Sequence, residues 1–106
     1  MECQGSLGGI WTSGLLSYLI GFNSTPFDRE ILARLDKYGA RISQTANKGG
    51  DWAYEPEYMK LVCEEMCAES GVTVRLHTPV VSAVVRERRI EAVITESKSG
   101  REARSM

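Results

Sequence analysis

In the stretch GVTVRLHTPVVSAVVRERRIEAVITE, residues 71–96, the apolar residues change from helical spacing to alternation, which indicates the fold class. Over residues 72–76, apolar and polar side chains alternate, which is the pattern of a strand with one buried face. The apolar runs at 80–85 and 89–96 predict two further strands, and Pro79 argues for a sheet edge or a crossing point before them. We therefore expect a strand that continues into a β-meander.

Turn signals complete this meander. A charged turn near Arg88 separates the two apolar runs, and SKSG at 97–100 predicts a second turn in which Gly100 can adopt a positive φ. The chain then continues as a last strand, which begins with REAR.

The segment NSTPFDREILARLDKYG upstream carries the signals of a helix at both ends. Thr25 can cap the helix, Pro26 fits its first position, and Asp28 lies in the positively polarised first turn. Gly39 is a natural stop. The apolar stripe of this helix is predicted to consist of Phe27, Ile31, Leu32, Leu35 and Tyr38.

EPEYMKLVCEEMCAESG predicts a second helix, with Pro56 near its start and Gly71 at its end. Its predicted apolar stripe is Tyr58, Leu61, Val62 and Met66. Between the helices, the polar, Gly-rich segment SQTANKGGDWAY predicts a long loop. GLLSYLIGF, residues 14–22, is predicted to form a short apolar helix. Helices that lead into a strand and a meander predict an α/β fold.

Composition excludes several classes of function. The 106 residues suit a single domain, and 42% hydrophobic with 25% charged residues is ordinary for a soluble globular protein. A net charge of −1 gives no electrostatic reason to expect nucleic acid or a membrane as partner, and the arginines around the meander alternate with glutamates. Residues 14–22 are too short to span a bilayer, and no basic segment precedes them, so a cytoplasmic location is expected.

Cysteine and histidine usage predicts no metal site. Cys3, Cys63 and Cys67 are odd in number and unevenly placed, unlike a disulfide framework. Cys63 and Cys67 lie one helical turn apart and could hold two sides of a metal, but no further ligand has suitable spacing, so buried thiols are favoured. His77, the only histidine, could transfer protons, but an exposed strand histidine is favoured.

The N-terminal stretch MECQGSLGGIWTSG combines an acidic residue with a Gly-rich loop and hydroxyl side chains. ECQGSLGGIWTSGLLSYLIGF, residues 2–22, resembles the segment that follows the second strand in FAD-dependent oxidoreductases of the glutathione-reductase-like flavoprotein superfamily. There the strand ends in an acidic residue, and a Gly-Gly pair with nearby Thr or Ser approaches the flavin. Residues 71–96 are similar to that family's G-V-x-V strand and β-meander.

This resemblance covers nearly the whole chain and implies a Rossmann-like α/β domain that binds FAD or NAD(P), with FAD as the cofactor. Glu2 would accept hydrogen bonds from the adenosine ribose, and Val80 would contact the adenine through its main chain. The glycines would let the backbone lie against the isoalloxazine ring or the pyrophosphate, and the hydroxyls would donate hydrogen bonds there. The implied cofactor-binding residues are Glu2, Gly8, Gly9, Thr12, Ser13, Gly14 and Val80.

One departure from the family pattern concerns the phosphates. The G-x-G-x-x-G turn that places a pyrophosphate on a helix N-terminus is absent from the sequence, and so is the Ala-Thr-Gly-like segment expected after the meander. The expectation is therefore an internal fragment of a flavoenzyme, inactive by itself. Its parts are a ribose- and flavin-facing loop with a short helix (1–22), two helices with a Gly-rich loop (25–71), and a strand with the meander (72–106).

A second class of function is a non-catalytic α/β protein-interaction module. Such a module would use its exposed sheet edges and the Trp52–Tyr54 loop to bind a partner, and the same edges could support self-association. The glycines and hydroxyls clustered beside Glu2 favour the oxidoreductase, which would act on a small-molecule substrate. The sequence identifies neither that substrate nor the catalytic residues.

Overall fold

The computed structural model describes residues 1–21, 25–43 and 52–105. They form two compact units: Ser6–Thr73, and Met1–Gly5 together with Val74–Met106. The described elements are two α-helices and two three-stranded sheets. The mixture of helices and strands expected for an α/β protein is present, and every strand pairing between described residues is antiparallel.

Helix α1, Pro26–Lys37, begins and ends where its sequence predicts. The Thr25 hydroxyl accepts a hydrogen bond from the Asp28 N–H at 3.1 Å, and the Asp28 carboxylate accepts one from the Thr25 N–H at 3.0 Å. This reciprocal capping box satisfies two backbone donors at once. Gly39 follows the helix with φ +63°, a conformation that favours glycine.

Helix α2, Pro56–Glu69, is confirmed; of its predicted apolar stripe, Val62 is buried and Met66 packs against the core, but the prediction is wrong for Tyr58 and Leu61. Met59 and Val62 are fully buried, whereas Tyr58 and Leu61 are 41% and 39% exposed. Apolar residues lie on both sides of this helix, so their spacing does not decide which side packs. The packing against the rest of the Ser6–Thr73 unit decides it.

The sheet of this unit corrects two predictions. Residues 14–21 form no helix: a 3₁₀ turn, Gly9–Trp11, is followed by strand β1, Tyr18–Leu19. The predicted loop contains strand β3, Trp52–Tyr54, which lies between β1 and β2, Arg41–Ser43. Phe22 and residues 44–51 lie outside the described residues. Both errors arise because antiparallel pairing between distant segments, and not local periodicity, fixes these strands.

The hydrophobic core lies in the Ser6–Thr73 unit. Tyr54 is fully buried on β3, so the Trp52–Tyr54 segment is part of the core and not the exposed binding loop of the interaction-module hypothesis. The helices cover this sheet with one apolar face each. The buried core residues are Leu19, Ile31, Leu32, Leu35, Ala40, Tyr54, Met59 and Val62.

The second unit contains the predicted meander of β4, Val80–Arg86, β5, Arg89–Ser97, and β6, Gly100–Ser105. The charged turn between β4 and β5 consists of Glu87 and Arg88, both with positive φ, as in a two-residue hairpin turn. Gly100 has φ +106° at the second turn. Three of the arginines pair with neighbouring glutamates, which agrees with the predicted solvated, charged surface: Arg86–Glu91, Arg101–Glu96 and Arg104–Glu102.

The strand predicted at 72–76 is not formed. This segment has no regular ladder in the described structure, and Val72 is 53% exposed. The hydrogen bonds that it makes with the N-terminal residues are irregular: the Glu2 N–H donates to Arg75 O at 2.9 Å. His77 has φ +49°, which breaks the extended conformation. Alternation alone cannot supply the partner strand that a ladder needs.

Candidate functional site

The Gly-rich loop lies at the start of the Ser6–Thr73 unit, and the side chain of Thr12 stabilises it by a hydrogen bond inside the loop. Thr12 is fully buried, and its hydroxyl donates to Leu7 O at 2.5 Å and approaches Gly9 O at 3.4 Å. A buried hydroxyl that donates into its own loop is not available to a ligand on the surface. The predicted role of Thr12 as a donor to the flavin therefore does not fit this geometry; Thr12 shapes the loop instead.

Ser13 closes the same loop across its base. Its hydroxyl shares a hydrogen bond of 2.8 Å with the hydroxyl of Ser6, which is buried. Ser13 itself is exposed, so its hydroxyl keeps access to solvent. The loop therefore keeps its shape through two side-chain contacts that its sequence supplies locally.

The three glycines of this loop have different functions. A Cβ on Gly8, which has φ +95°, would lie 2.7 Å from Thr12 Cγ2, and a Cβ on Gly14 would lie 2.7 Å from Ile10 Cα. These two glycines are required for close packing inside the loop. Gly9 is exposed with φ +52°, and no atom lies within 4 Å of the position that its Cβ would take. Gly9 is thus the glycine whose open face a flat ligand can approach.

Backbone donors lie around Gly9. The Trp11 N–H donates to Gly8 O at 3.1 Å and the Thr12 N–H to Gly9 O at 3.2 Å, which forms the 3₁₀ turn. The N–H groups of Gly8, Gly9 and Ile10 have no acceptor among the described residues. Successive free N–H groups in such a turn suit a ligand that presents oxygen or ring-nitrogen acceptors.

Tyr54 fixes the far end of the loop, a contact that sequence reasoning missed. Its hydroxyl lies 2.8 Å from Trp11 O and 2.9 Å from Leu16 O, and its single proton is shared between these two acceptors. Burial, with a smaller contribution from the charge of Cys63, raises the pKa of Tyr54 to about 12. The hydroxyl therefore stays protonated at neutral pH. The sequence predicts a loop at Tyr54, and a residue in an exposed loop is not expected to hold the Gly-rich loop from the core.

An apolar groove of about 440 Å³ runs beside the loop within the same unit. Cys63 and Cys67 line it and are half-buried, and burial, followed by the charge of Cys67, raises the pKa of Cys63. In the described part of the chain, no group of three or more His, Cys, Asp or Glu side chains could hold a metal. The groove residues are Leu7, Gly8, Trp11, Phe27, Ile31, Cys63, Met66, Cys67, Ser70 and Val72.

Glu2 and Val80 belong to the other unit. The Glu2 carboxylate accepts hydrogen bonds from the Gln4 N–H at 2.8 Å and, with one and the same oxygen, from the Cys3 thiol at 3.2 Å. These bonds, the first being the stronger cause, lower the pKa of Glu2. Its main-chain carbonyl accepts from the Thr78 N–H at 2.8 Å, two residues before Val80. This hydrogen bond therefore holds the main chain of Glu2 beside the segment that leads into Val80, the second residue predicted to bind the adenosine.

His77 lies next to the same segment. Its N–H donates to Gln4 O at 3.0 Å, and its ring lies so close to Gly5 that a Cβ there would come within 2.9 Å of the ring Cε1 atom. His77 is exposed, as expected, but lies in a bend and not in a strand. Its contacts stabilise the N-terminal segment that carries Glu2.

Comparison with known families identifies the family of the chain. The sequence model of the family described as FAD dependent oxidoreductase matches residues 1–105. The chain belongs to the FAD-dependent oxidoreductase family. No curated protein matches the chain.

Two separate sets of residues in this FAD-dependent oxidoreductase chain, one in each unit, have the chemistry to hold parts of FAD. The open face of Gly9 and the free N–H groups beside it can receive a flat heterocycle, and the Glu2 carboxylate has an oxygen that the described residues leave without a partner. FAD presents the matching groups, a planar ring with acceptors and ribose hydroxyls. No helix in the described ranges is long and apolar enough to cross a membrane.

Proposed function

We propose that this chain contributes the flavin-facing loop and the ribose-binding carboxylate of an FAD-dependent oxidoreductase of the glutathione-reductase-like superfamily, with a Rossmann-like fold. The observation that carries the proposal is the open face of Gly9, at a position where a family resemblance calls for contact with the flavin. The bound flavin supplies the redox chemistry on a small-molecule substrate. The residues of the chain bind and orient it.

In this proposal the loop binds through its main chain. The N–H groups of Gly8, Gly9 and Ile10 donate to the cofactor, while Thr12 and Ser13 hold the loop in shape. Gly14 allows the loop to close against Ile10. A rigid loop loses little conformational entropy when the ligand binds, which favours affinity.

The carboxylate of Glu2 accepts hydrogen bonds from the ribose hydroxyls of the adenosine half. The lowered pKa of Glu2 keeps this group ionised at neutral pH, and ionised acceptors make the stronger hydrogen bonds. Val80 follows closely on Thr78, which is bonded to Glu2, and its main chain contacts the adenine.

We also propose that the 106-residue chain by itself binds FAD weakly and has no turnover. The sequence has no G-x-G-x-x-G turn, so the phosphates lack their usual donors. Large apolar side chains are also exposed in the Ser6–Thr73 unit, among them Phe27 at 60% and Ile42 at 60%. Such surface is typical of a domain whose helices and sheets pack against further elements.

The experiment that tests the site compares two glycine variants. The chain is fused behind a strand–turn–helix that carries G-x-G-x-x-G, and FAD retention is measured from the absorbance of the purified protein. Gly9→Val should abolish retention because the side chain fills the open face. Gly71→Val is the matched control, since Gly71 also has a positive φ, of +70°, and open space around its Cβ position.

The control separates strain from ligand contact. Both variants place valine at a positive φ in open space, so a loss of FAD that is confined to Gly9→Val identifies the site. If Gly9→Val stays folded and fully loaded with FAD, or if both variants lose FAD equally, the assignment of the loop is wrong.

A further inference from the structure

The outer edge of β4 is the most open edge of the meander. All seven residues of Val80–Arg86 are exposed, and β5 is the strand with which β4 pairs. The first six residues, VVSAVV, carry no charge. The outer edge therefore presents main-chain N–H and C=O groups beside apolar side chains, which is the template for pairing with another strand.

The opposite edge of the same sheet is protected. Strand β6 carries Arg101, Glu102 and Arg104; Arg104 forms an ion pair with Glu102 along the strand, and Arg101 forms one with Glu96 on β5. Charged side chains on an edge strand disfavour the approach of a second strand. The two edges of the sheet therefore differ in their capacity to bind a further strand, and the outer edge of β4 is the one that can bind it.

The register of β4 defines which part of its edge is regular. Val80 pairs with Thr95 and Ser82 with Ile94, so Val81 is an extra residue that bends the start of the strand. From Ser82 onward every residue of β4 has a partner on β5. The second irregularity, between Val84 and Val85, places its extra residue on β5. The part of β4 without an extra residue is therefore 82–86, and Val84 lies at its centre.

We propose that β4 pairs antiparallel with β4 of a second copy of this chain, about a two-fold axis at Val84. In this register Ala83 faces Val85 of the second copy, and Ser82 faces its Arg86. Within residues 82–86 no like charges meet and each apolar side chain meets another apolar one, so this stretch is complementary to itself. The pairing closes at two copies because, in the meander as the structure describes it, each copy offers one uncharged edge, and it does not depend on the proposed function.

The test uses the molar mass of the purified 106-residue chain across a concentration series, measured by sedimentation velocity. The mass should rise from one copy to two and no further. Ala83→Lys should raise the apparent dissociation constant of the dimer more than about tenfold, because it places a charge in the paired edge. Ala103→Lys is the matched control, an equally exposed alanine on β6, and should leave the constant unchanged.

Cross-linking tests the register. In a Cys3→Ser background, Val84→Cys should form a disulfide between two copies, since residues that face each other in antiparallel strands lie within disulfide range. Ala83→Cys in the same background should cross-link much less. A chain that stays monomeric, equal effects of the two lysine variants, or growth beyond two copies that survives Ala83→Lys would overturn the pairing, and preferential cross-linking at residue 83 would overturn the register.

Discussion

Replacement of Tyr54 by phenylalanine tests how the core holds the Gly-rich loop. The substitution keeps the buried ring and removes the hydroxyl that donates to Trp11 O and Leu16 O. A hydrogen bond contributes about 1 kcal/mol net, and the two carbonyls lose their shared donor, so the free energy of unfolding should fall by about 1–2 kcal/mol. Against a total of about 5–15 kcal/mol, this is a readily measured loss.

The pH dependence gives a second, sharper readout. Because burial raises the pKa of Tyr54 to about 12, the folded state holds the hydroxyl proton more tightly than the unfolded state, in which the pKa is about 10. The resulting stabilisation, about 2–3 kcal/mol, is fully present below about pH 10 and is lost as the pH rises toward 12. The Tyr54→Phe variant lacks this loss, so the difference in stability between the two proteins should narrow above pH 10.

The assay is urea unfolding of both proteins at pH 7, 10 and 11, followed by circular dichroism. Tyr58→Phe is the matched control: Tyr58 is 41% exposed, and its hydroxyl has no partner among the described residues, so its removal should change little. Equal stability of Tyr54→Phe and the parent chain at pH 7 would refute the reasoning. So would a difference that stays constant between pH 7 and pH 11.

Three further predictions follow from local contacts. Thr25→Ala should lower the free energy of unfolding by about 1 kcal/mol through loss of the capping box, measured by urea unfolding with the exposed Thr73→Ala as control. Of the three thiols, Cys3 should react fastest with a disulfide reagent at pH 8, because it is exposed while Cys63 has a raised pKa; a fast phase that survives Cys3→Ser would contradict this. In the fused protein, Glu2→Ala should weaken FAD binding about ten- to hundredfold in a fluorescence titration, and an unchanged affinity would remove Glu2 from the site.

The sequence predicts those elements whose signals are local. Helix α1 follows from Thr25, Pro26 and Gly39, which act within a few residues of one another. The meander can also be predicted from local signals, because short turns join its strands and fix their register. The order of loop, helices and meander, and the family, could therefore be read from the residues.

Elements that depend on distant partners could not be predicted. Strand β1 exists because Tyr18 and Leu19 pair with β3, more than thirty residues away, and the apolar run that contains them has no period of its own. The burial of Met59, and not of Tyr58, depends on what packs against α2. Residues 72–76 alternate as a strand would, but their ladder is missing from the described structure.

The candidate site shows the same division. Gly9 could be singled out from its neighbours in the loop only from the space around each glycine. The burial of the Thr12 hydroxyl and the contact from Tyr54 are likewise tertiary facts. The sequence indicates which residues gather in the Gly-rich loop, and the structure divides them into those that face outward and those that hold the loop.

The most direct test of the central claim, that the chain binds the flavin through the open face of its Gly-rich loop, is a titration of the ¹⁵N-labelled chain with FMN and with ADP, followed by amide chemical shifts. FMN carries the flavin without the adenosine, and ADP carries the adenosine without the flavin. We expect FMN to shift the amides of residues 8–10, and ADP to shift those next to Glu2 and Val80. If saturating FMN leaves residues 8–10 unchanged and shifts amides elsewhere, the loop does not bind the flavin and the claim is contradicted.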